Sequence, residues 1–211
     1  MQKHNLIFDL DGTLIDVSEK CYKLYSDLLR GSDFKILTKK KYWLYKRKGI
    51  TEENIVELTC PKEFAKKYIK NRLRKIESLD YLKFDKLITE TKDILQKLSE
   101  KYSLYLVTMR SCAKTLNKQL TTLDIKKYFK KIVCAKKLSK KQKKLELIKN
   151  LRLKHCALLI GDTAEDILIG KTLGFITCAV LYGLREKTIL QKCHPEFLIE
   201  NLKDIKKILN I

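Results

Sequence analysis

Two carboxylates near the amino terminus stand two residues apart at the end of an apolar run. Asp9 and Asp11 follow Leu6–Phe8 and lead into Gly12. An unpaired charge directly after a buried strand is costly, which favours a chemical role for Asp9. The alternative interpretation is structural, because Asp-Gly is a common turn and an aspartate can cap the next helix.

A second acidic pair lies in the carboxyl-terminal half of the chain. Asp162 and Asp166 follow the apolar run Ala157–Ile160. If the two strands are parallel neighbours, both acidic pairs converge at one edge of the sheet. Clustered carboxylates repel one another unless a cation joins them, and oxygen ligands beside a phosphate favour Mg²⁺. Taken alone, the second pair also fits helix capping by Asp162 or Thr163.

A hydroxyl and several cations stand where a phosphate would need them. Thr108 ends the apolar run Leu104–Val107, so its hydroxyl and the next backbone N–H could bind a phosphate oxygen. Arg110 follows, either as a substrate contact or as an exposed loop charge. Four lysines precede the helix that leads to the second acidic pair: Lys140, Lys141, Lys143 and Lys144. One of them could offset the phosphate's charge.

The elements that position these residues alternate between strand and helix. Apolar runs predict strands at 6–8, 104–109, 157–160 and 176–181, and a last edge strand at 196–199 before a closing helix. A helical repeat of apolar residues spans 86–101, and another spans 145–151. This alternation predicts an α/β fold with a parallel sheet covered on both faces.

One region breaks the alternation. Residues 17–81 contain helix-like stretches at 19–29, 38–48 and 61–76 and no convincing strand. They predict an insertion of three or four short helices directly after the first strand. The domain boundaries that follow are 1–16 and 82–211 for the α/β core and 17–81 for the helical domain.

Composition limits the classes of function. The chain has 211 residues, 45% of them apolar and 34% charged, which suits a globular protein with one or two domains. Its net charge of +21 attracts polyanions, but the charge comes mostly from lysine. A broadly solvated basic surface is therefore favoured over a nucleic-acid interface. Seven scattered cysteines predict reduced thiols, and the lack of a signal or membrane-spanning pattern predicts a soluble, cytoplasmic protein.

The order of these motifs resembles that of a known family. Asp9-Leu10-Asp11-Gly12-Thr13-Leu14 resembles the first motif of the haloacid dehalogenase-like (HAD) phosphatases, and Thr108 their second. A lysine before the last catalytic strand is similar to the third motif, and Gly161-Asp162 with Asp166 to the fourth. The resemblance covers nearly the whole chain. It implies a Rossmann-like parallel sheet core with an inserted α-helical cap, as in the subgroup of phosphoglycolate phosphatases and β-phosphoglucomutase.

The resemblance also implies catalytic roles. Asp9 looks like the nucleophile that forms an aspartyl-phosphate, and Asp11 like the general acid and base. Thr108 and Lys144 would hold the phosphoryl group, with Arg110 as a further substrate-binding candidate. Lys144 is preferred because apolar residues follow it at helical offsets, while Lys141 and Lys143 stay open as alternatives.

A metal site follows from the same resemblance. Mg²⁺ would be bound by Asp9, the Asp11 carbonyl, Asp162 and the phosphate. Asp166 would support the metal or orient the lysine.

The predicted function is a Mg²⁺-dependent phosphatase that hydrolyses a small phosphorylated metabolite. Family dehalogenases lack an acid at the position of Asp11, so its presence indicates phosphate esters rather than halides. Two alternatives stay open. One is a phosphomutase of the same family, and the other is a basic nucleic-acid-binding protein or a phosphatase of polynucleotide ends. The sequence gives no signal for the oligomeric state.

Overall fold

The computed structural model describes residues 4–135, 143–153 and 157–211, and within them eight strands form two sheets. The strands are β1 (Asn5–Phe8), β2 (Ile15–Asp16), β3 (Lys86–Leu87), β4 (Ser103–Thr108), β5 (Lys131–Cys134), β6 (Ala157–Gly161), β7 (Ile176–Val180) and β8 (Phe197–Ile199). Six of them form one sheet in the order β5-β4-β1-β6-β7-β8, and every pair in it is parallel. The predicted α/β fold class is confirmed.

Helices connect the strands and fill the region between β2 and β3. The α-helices of the described ranges are α1 (Ser18–Leu29), α2 (Lys39–Arg47), α3 (Glu52–Glu57), α4 (Lys62–Lys75), α5 (Leu79–Leu82), α6 (Thr91–Lys101), α7 (Ala113–Thr122), α8 (Lys144–Lys149), α9 (Ala164–Thr172), α10 (Lys187–Gln191) and α11 (Ile205–Ile208). None of these is long and apolar enough to cross a membrane.

The chain divides into two compact units. The first, Met1–Ile15 with Leu87–Ile211, contains the six-stranded sheet, and we call it the core unit. The second, Asp16–Lys86, contains α1 to α5, and we call it the helical unit. The boundary expected between residues 81 and 82 would cut α5, whereas the compact unit extends to Lys86. That the helical unit acts as a cap stays a prediction.

The central strand of the sheet is β1. Its residues Leu6, Ile7 and Phe8 are buried, as expected for a parallel strand covered on both faces. It pairs with β4 on one side and with β6 on the other, and Phe8 lies opposite both Leu106 and Ile160. The expected pairing of the two strands that precede the acidic motifs is therefore present. The strand order reverses around β1, and such a point opens a crevice at the carboxyl ends of the strands.

Two elements of the core unit differ from expectation. Strand β5 was not predicted, because it is a short, only half-buried edge strand that carries little apolar signal. The helix expected over 86–101 is present and ends at Lys101, but it begins at Thr91, so its predicted start was wrong. Glu90 lies in the left-handed region with φ +64°, and a helix cannot continue through that conformation.

A largely buried polar cluster joins three helices of the helical unit. The hydroxyls of Tyr42 and Tyr68 both donate to the Glu52 carboxylate, at 2.9 and 2.6 Å. Lys46 Nζ lies 3.1 Å from Glu52 Oε2, and Arg72 Nη2 lies 3.5 Å from the same oxygen. These contacts join α2, α3 and α4 through one carboxylate.

None of the six cysteines within the described ranges is in a disulfide: Cys21, Cys60, Cys112, Cys134, Cys178 and Cys193. Cys156 lies outside those ranges.

Candidate active site

Acidic side chains from two strand ends meet at one edge of the sheet. Asp9 directly follows β1, and its N–H donates to the Ile160 carbonyl of β6 at 2.9 Å. Asp162 directly follows β6, and Asp166 lies in the first turn of α9. One carboxylate oxygen from each of Asp9, Asp162 and Asp166 lies within 4.8 Å of the others, and all three residues are buried.

A lysine joins two of these carboxylates. Lys144 is the first residue of α8 and is only 4% exposed. Its Nζ donates to Asp9 Oδ1 and, at 2.5 Å, to Asp166 Oδ1. The helix is anchored by Leu147 and Ile148, which are buried in the core three and four residues later and so lie on the same face as Lys144.

The other lysines of the group are placed differently or lie outside the described residues. Lys143 precedes α8 and is exposed, while Lys140 and Lys141 fall in the undescribed stretch 136–142.

Asp166 is fixed in the first turn of α9. Its Oδ2 accepts hydrogen bonds from Thr163 N–H at 3.1 Å and Thr163 Oγ1 at 2.6 Å, and Thr163 Oγ1 accepts from Asp166 N–H in return. This capping box holds the carboxylate rigid. The other oxygen contacts Lys144, so the geometry favours the lysine-orienting role over direct metal support.

Asp162 lies in a tight cradle of backbone and side-chain donors. Leu184 N–H donates to its Oδ2 at 2.5 Å, and Thr13 Oγ1 lies 3.4 Å from its Oδ1. Two glycines allow this close approach: a Cβ would stand 2.1 Å from Asp162 Oδ2 at Gly12 and 2.3 Å from it at Gly183. Sequence reasoning missed the loop of Gly183 and Leu184, although a glycine just after a predicted strand was the available signal.

Burial dominates the electrostatics of this group. It raises the pKa of Asp9 to about 7, with Lys144 opposing the rise and Asp166 adding to it. Burial, followed by the charges of Asp9 and Asp166, also raises the pKa of Asp162 well above its usual range. Burial alone would lower the pKa of Lys144, but the two carboxylates that it contacts outweigh that effect and raise it. Three buried carboxylates thus lie close together, and one ammonium group contacts two of them.

Asp11 and Thr108 lie beside a second cation. Arg110 Nε and Nη2 donate to the two oxygens of Asp11 at 2.8 and 2.5 Å, forming a forked ion pair. Arg110 N–H donates to Thr108 Oγ1 at 3.3 Å, and Arg110 Nη1 donates to Gln119 Oε1 of α7. Arg110 is only 5% exposed, which excludes the interpretation as an exposed loop charge. Gln119 was not predicted, since its place on the buried face of α7 follows from the fold alone.

The donor set of Asp9, Asp162 and Asp166 fits a magnesium ion. All three offer carboxylate oxygens, which are the ligands of hard divalent cations, and they stand close enough to share one ion. Burial, with the charge of the neighbouring carboxylates, raises the pKa values of Asp9 and Asp162, and a cation would relieve that crowding of negative charge. The Asp11 carboxylate points to Arg110 and is not part of this set, so Asp11 could contribute only its backbone carbonyl, as expected from the resemblance.

Comparison with known proteins gives one family and a shared fold. Residues 6–180 match the model of the family described as haloacid dehalogenase-like hydrolase. A protein from Clostridium difficile that is named as a phosphatase aligns with 23% identity, 99% of each chain covered and a TM-score of 0.84. A haloacid dehalogenase-like family hydrolase from Streptococcus pneumoniae has 21% identity, 98% of each chain covered and a TM-score of 0.82.

A third solved structure contains a metal. It is a HAD hydrolase from Bacillus subtilis bound to magnesium, with 19% identity, all of both chains covered and a TM-score of 0.70. At these identities the likeness to solved structures shows the fold. No curated protein sequence matches the chain.

Proposed function

Because the chain belongs to the haloacid dehalogenase-like hydrolase family, we propose that it hydrolyses small phosphate monoesters, with Asp9 as nucleophile. The observation that carries this proposal is the meeting of Asp9, Asp162 and Asp166, the first and last of which contact the Lys144 ammonium, at the strand reversal of a parallel sheet. This is the edge at which open α/β sheets bind ligands. The phosphatase names of structural neighbours agree with the proposal.

The proposed reaction has two displacement steps at phosphorus. In the first, an Asp9 carboxylate oxygen forms a bond to phosphorus while the ester P–O bond breaks, and Asp11 gives its proton to the leaving oxygen. In the second, water attacks the aspartyl-phosphate and gives a proton to Asp11. Inorganic phosphate leaves, and the Asp9 carboxylate is restored.

Other residues of the core unit hold the phosphoryl group during both steps. Lys144 Nζ already contacts Asp9, so it lies where negative charge develops on the phosphoryl oxygens. Thr108 ends the neighbouring strand and would donate a hydrogen bond through its hydroxyl. Asp166 keeps Lys144 in place. Phosphoryl transfer needs positioning and charge stabilisation above all, and these residues supply both.

We propose Mg²⁺ as the cofactor, held by Asp9, Asp162 and the Asp11 carbonyl, while Asp166 orients Lys144 beside it. When bound there, the ion would supply the positive charge that draws phosphate oxygens to the three carboxylates. The magnesium in the Bacillus subtilis relative supports this assignment.

Phosphate release from p-nitrophenyl phosphate tests the proposal. We expect the wild-type protein to release phosphate with Mg²⁺ and to lose this activity when the metal is chelated. Asp9→Asn should lower kcat by at least about a thousandfold, because an amide is a poor nucleophile. The control is Asp33→Asn, which changes an exposed carboxylate of the helical unit and should leave the rate unchanged. Full activity in folded Asp9→Asn would refute the nucleophile assignment.

A further inference from the structure

The forked ion pair between Arg110 and Asp11 joins two loops that lie far apart in the sequence. Both oxygens of Asp11 are engaged, one by Nε at 2.8 Å and the other by Nη2 at 2.5 Å. A guanidinium is planar, and a two-point contact with a carboxylate fixes distance and orientation together. The rotation of the Asp11 side chain is therefore set by Arg110, although about 29% of that side chain is exposed.

Arg110 is itself held from the side away from Asp11. Its Nη1 donates to the amide oxygen of Gln119, which lies on the buried face of α7 and is 6% exposed. Its backbone N–H donates to Thr108 Oγ1 at 3.3 Å, which ties Arg110 to the last residue of β4. A chain of contacts thus runs from α7 through Gln119 and Arg110 to Asp11.

We propose that Arg110, held by Gln119, is a positioning residue that fixes where the Asp11 carboxyl group meets the leaving oxygen. This inference rests on the proposed function, because it assigns Asp11 the proton transfer to that oxygen. A carboxylate whose two oxygens both accept from a guanidinium is ionised, so in the acid form one Asp11 oxygen carries the proton to the leaving oxygen while the other stays on Arg110. Proton transfer requires hydrogen-bond distance between donor and acceptor, and a small displacement of the donor lowers the rate strongly. Asp11 lies in a loop that leaves β1, so an anchor from a second element restricts its motion.

The inference predicts an effect that depends on the leaving group. An alkoxide must be protonated as the P–O bond breaks, whereas p-nitrophenolate is stable enough to leave without a proton. Loss of the anchor should therefore slow the cleavage of alkyl phosphates and largely spare that of p-nitrophenyl phosphate. The value of kcat/KM isolates this step, since it reports the reaction up to the first P–O cleavage.

The test compares glycerol phosphate with p-nitrophenyl phosphate in variants of Gln119. Gln119→Leu removes the acceptor for Arg110, and we expect kcat/KM to fall about tenfold or more on glycerol phosphate and less than about threefold on the aryl ester. Gln119→Glu keeps an oxygen on the same stem and should preserve the wild-type ratio. Lys118→Leu, at an exposed neighbouring position on α7, is the matched control and should change neither rate.

Each other outcome overturns the inference in a recognisable way. An equal loss of kcat on both esters in Gln119→Leu would indicate a purely structural role. A rise in KM on both esters at unchanged kcat would show that Arg110 binds substrate instead. If Gln119→Leu does not fold, Arg110→Lys, which keeps the charge and loses the fork, should give the same selective loss. A wild-type protein inactive on both esters would refute the proposed function itself, and with it the premise of this inference.

Discussion

Asp9 is a buried carboxylate whose negative charge is only partly compensated. It ends the central strand, it is buried, and it shares the Lys144 ammonium with Asp166. Burying a carboxylate costs free energy unless a positive charge compensates it. One lysine cannot compensate the charge of three carboxylates, and this imbalance favours the binding of a divalent cation.

The first prediction concerns how Asp9 makes stability depend on pH. Its pKa is raised from the ordinary 3.8 to about 7 in the folded protein, chiefly by burial. Between these values the folded state binds more protons than the unfolded state, so this residue lowers the free energy of unfolding as the pH rises. Without metal, Asp9→Asn should therefore gain stability relative to the wild type from about pH 4 to 7 and hold that gain above pH 7.

Urea denaturation across this pH range, with a chelator present, measures the difference. The exposed variant Asp33→Asn is the control and should show no such trend. Adding Mg²⁺ at pH 8 should stabilise the wild type more than Asp9→Asn. A ligand stabilises the folded state more when it binds that state more tightly, and the variant lacks the Asp9 carboxylate. A stability difference that falls with increasing pH would contradict the raised pKa.

At the scale of elements, the loop after β1 meets the loop after β7 at the Asp162 carboxylate. Gly12 has φ +88°, and a Cβ there would stand 2.1 Å from Asp162 Oδ2. Gly12→Ala should therefore displace Asp162 and lower kcat by at least about a hundredfold, as expected for a small misplacement at a reacting centre.

The matched control for this variant is Gly174→Ala. Gly174 also has a positive φ, of +67°, but nothing lies within 4 Å of its Cβ position. Both variants incur backbone strain of about 1 kcal/mol, and only Gly12→Ala adds the clash. Steady-state rates normalised to folded protein separate the two effects. Equal activities in the two variants would show that the contact between Gly12 and Asp162 does not matter.

The helical unit supplies a third prediction, from its buried carboxylate. Glu52→Gln removes the negative charge that Lys46 and Arg72 contact, and breaking a largely buried ion pair costs up to about 3 kcal/mol. We expect the free energy of unfolding to fall by about that amount and hydrogen exchange in α2 and α4 to become faster. Glu57→Gln, in the same helix, serves as the control. Unchanged exchange in α2 and α4 would show that Glu52 does not hold these helices together.

The net charge of +21 of the whole molecule raises the question whether the protein binds nucleic acid. Two of the few arginines, Arg72 and Arg110, are engaged in ion pairs, so the exposed charge comes mainly from lysine. We expect single-stranded oligonucleotides to bind at low salt and to dissociate as salt is raised to about 0.15 M, through counterion uptake. Fluorescence anisotropy measures this binding. Tight binding at 0.15 M that inhibits phosphate release would favour action on polynucleotide ends.

The sequence predicted the parts of the molecule that repeat local patterns. The fully buried run of β1 and the helical spacing after Lys144 could be recognised without a structure. The contact between Asp11 and Arg110 could not, because it joins side chains 99 residues apart whose orientations follow from packing. The same holds for the N–H of Leu184, a backbone donor that leaves no trace in residue type.

Trapping the phosphorylated enzyme shows which residue receives the phosphoryl group. The protein would be mixed with acetyl phosphate and Mg²⁺, quenched in acid and treated with borohydride, which reduces an acyl phosphate to an alcohol. Peptide mass spectrometry would then locate the reduced residue. If Asp9 is the nucleophile, reduction occurs at Asp9 alone and is abolished in Asp9→Asn. Reduction at another carboxylate, or turnover with Asp9 always unmodified, would contradict that assignment.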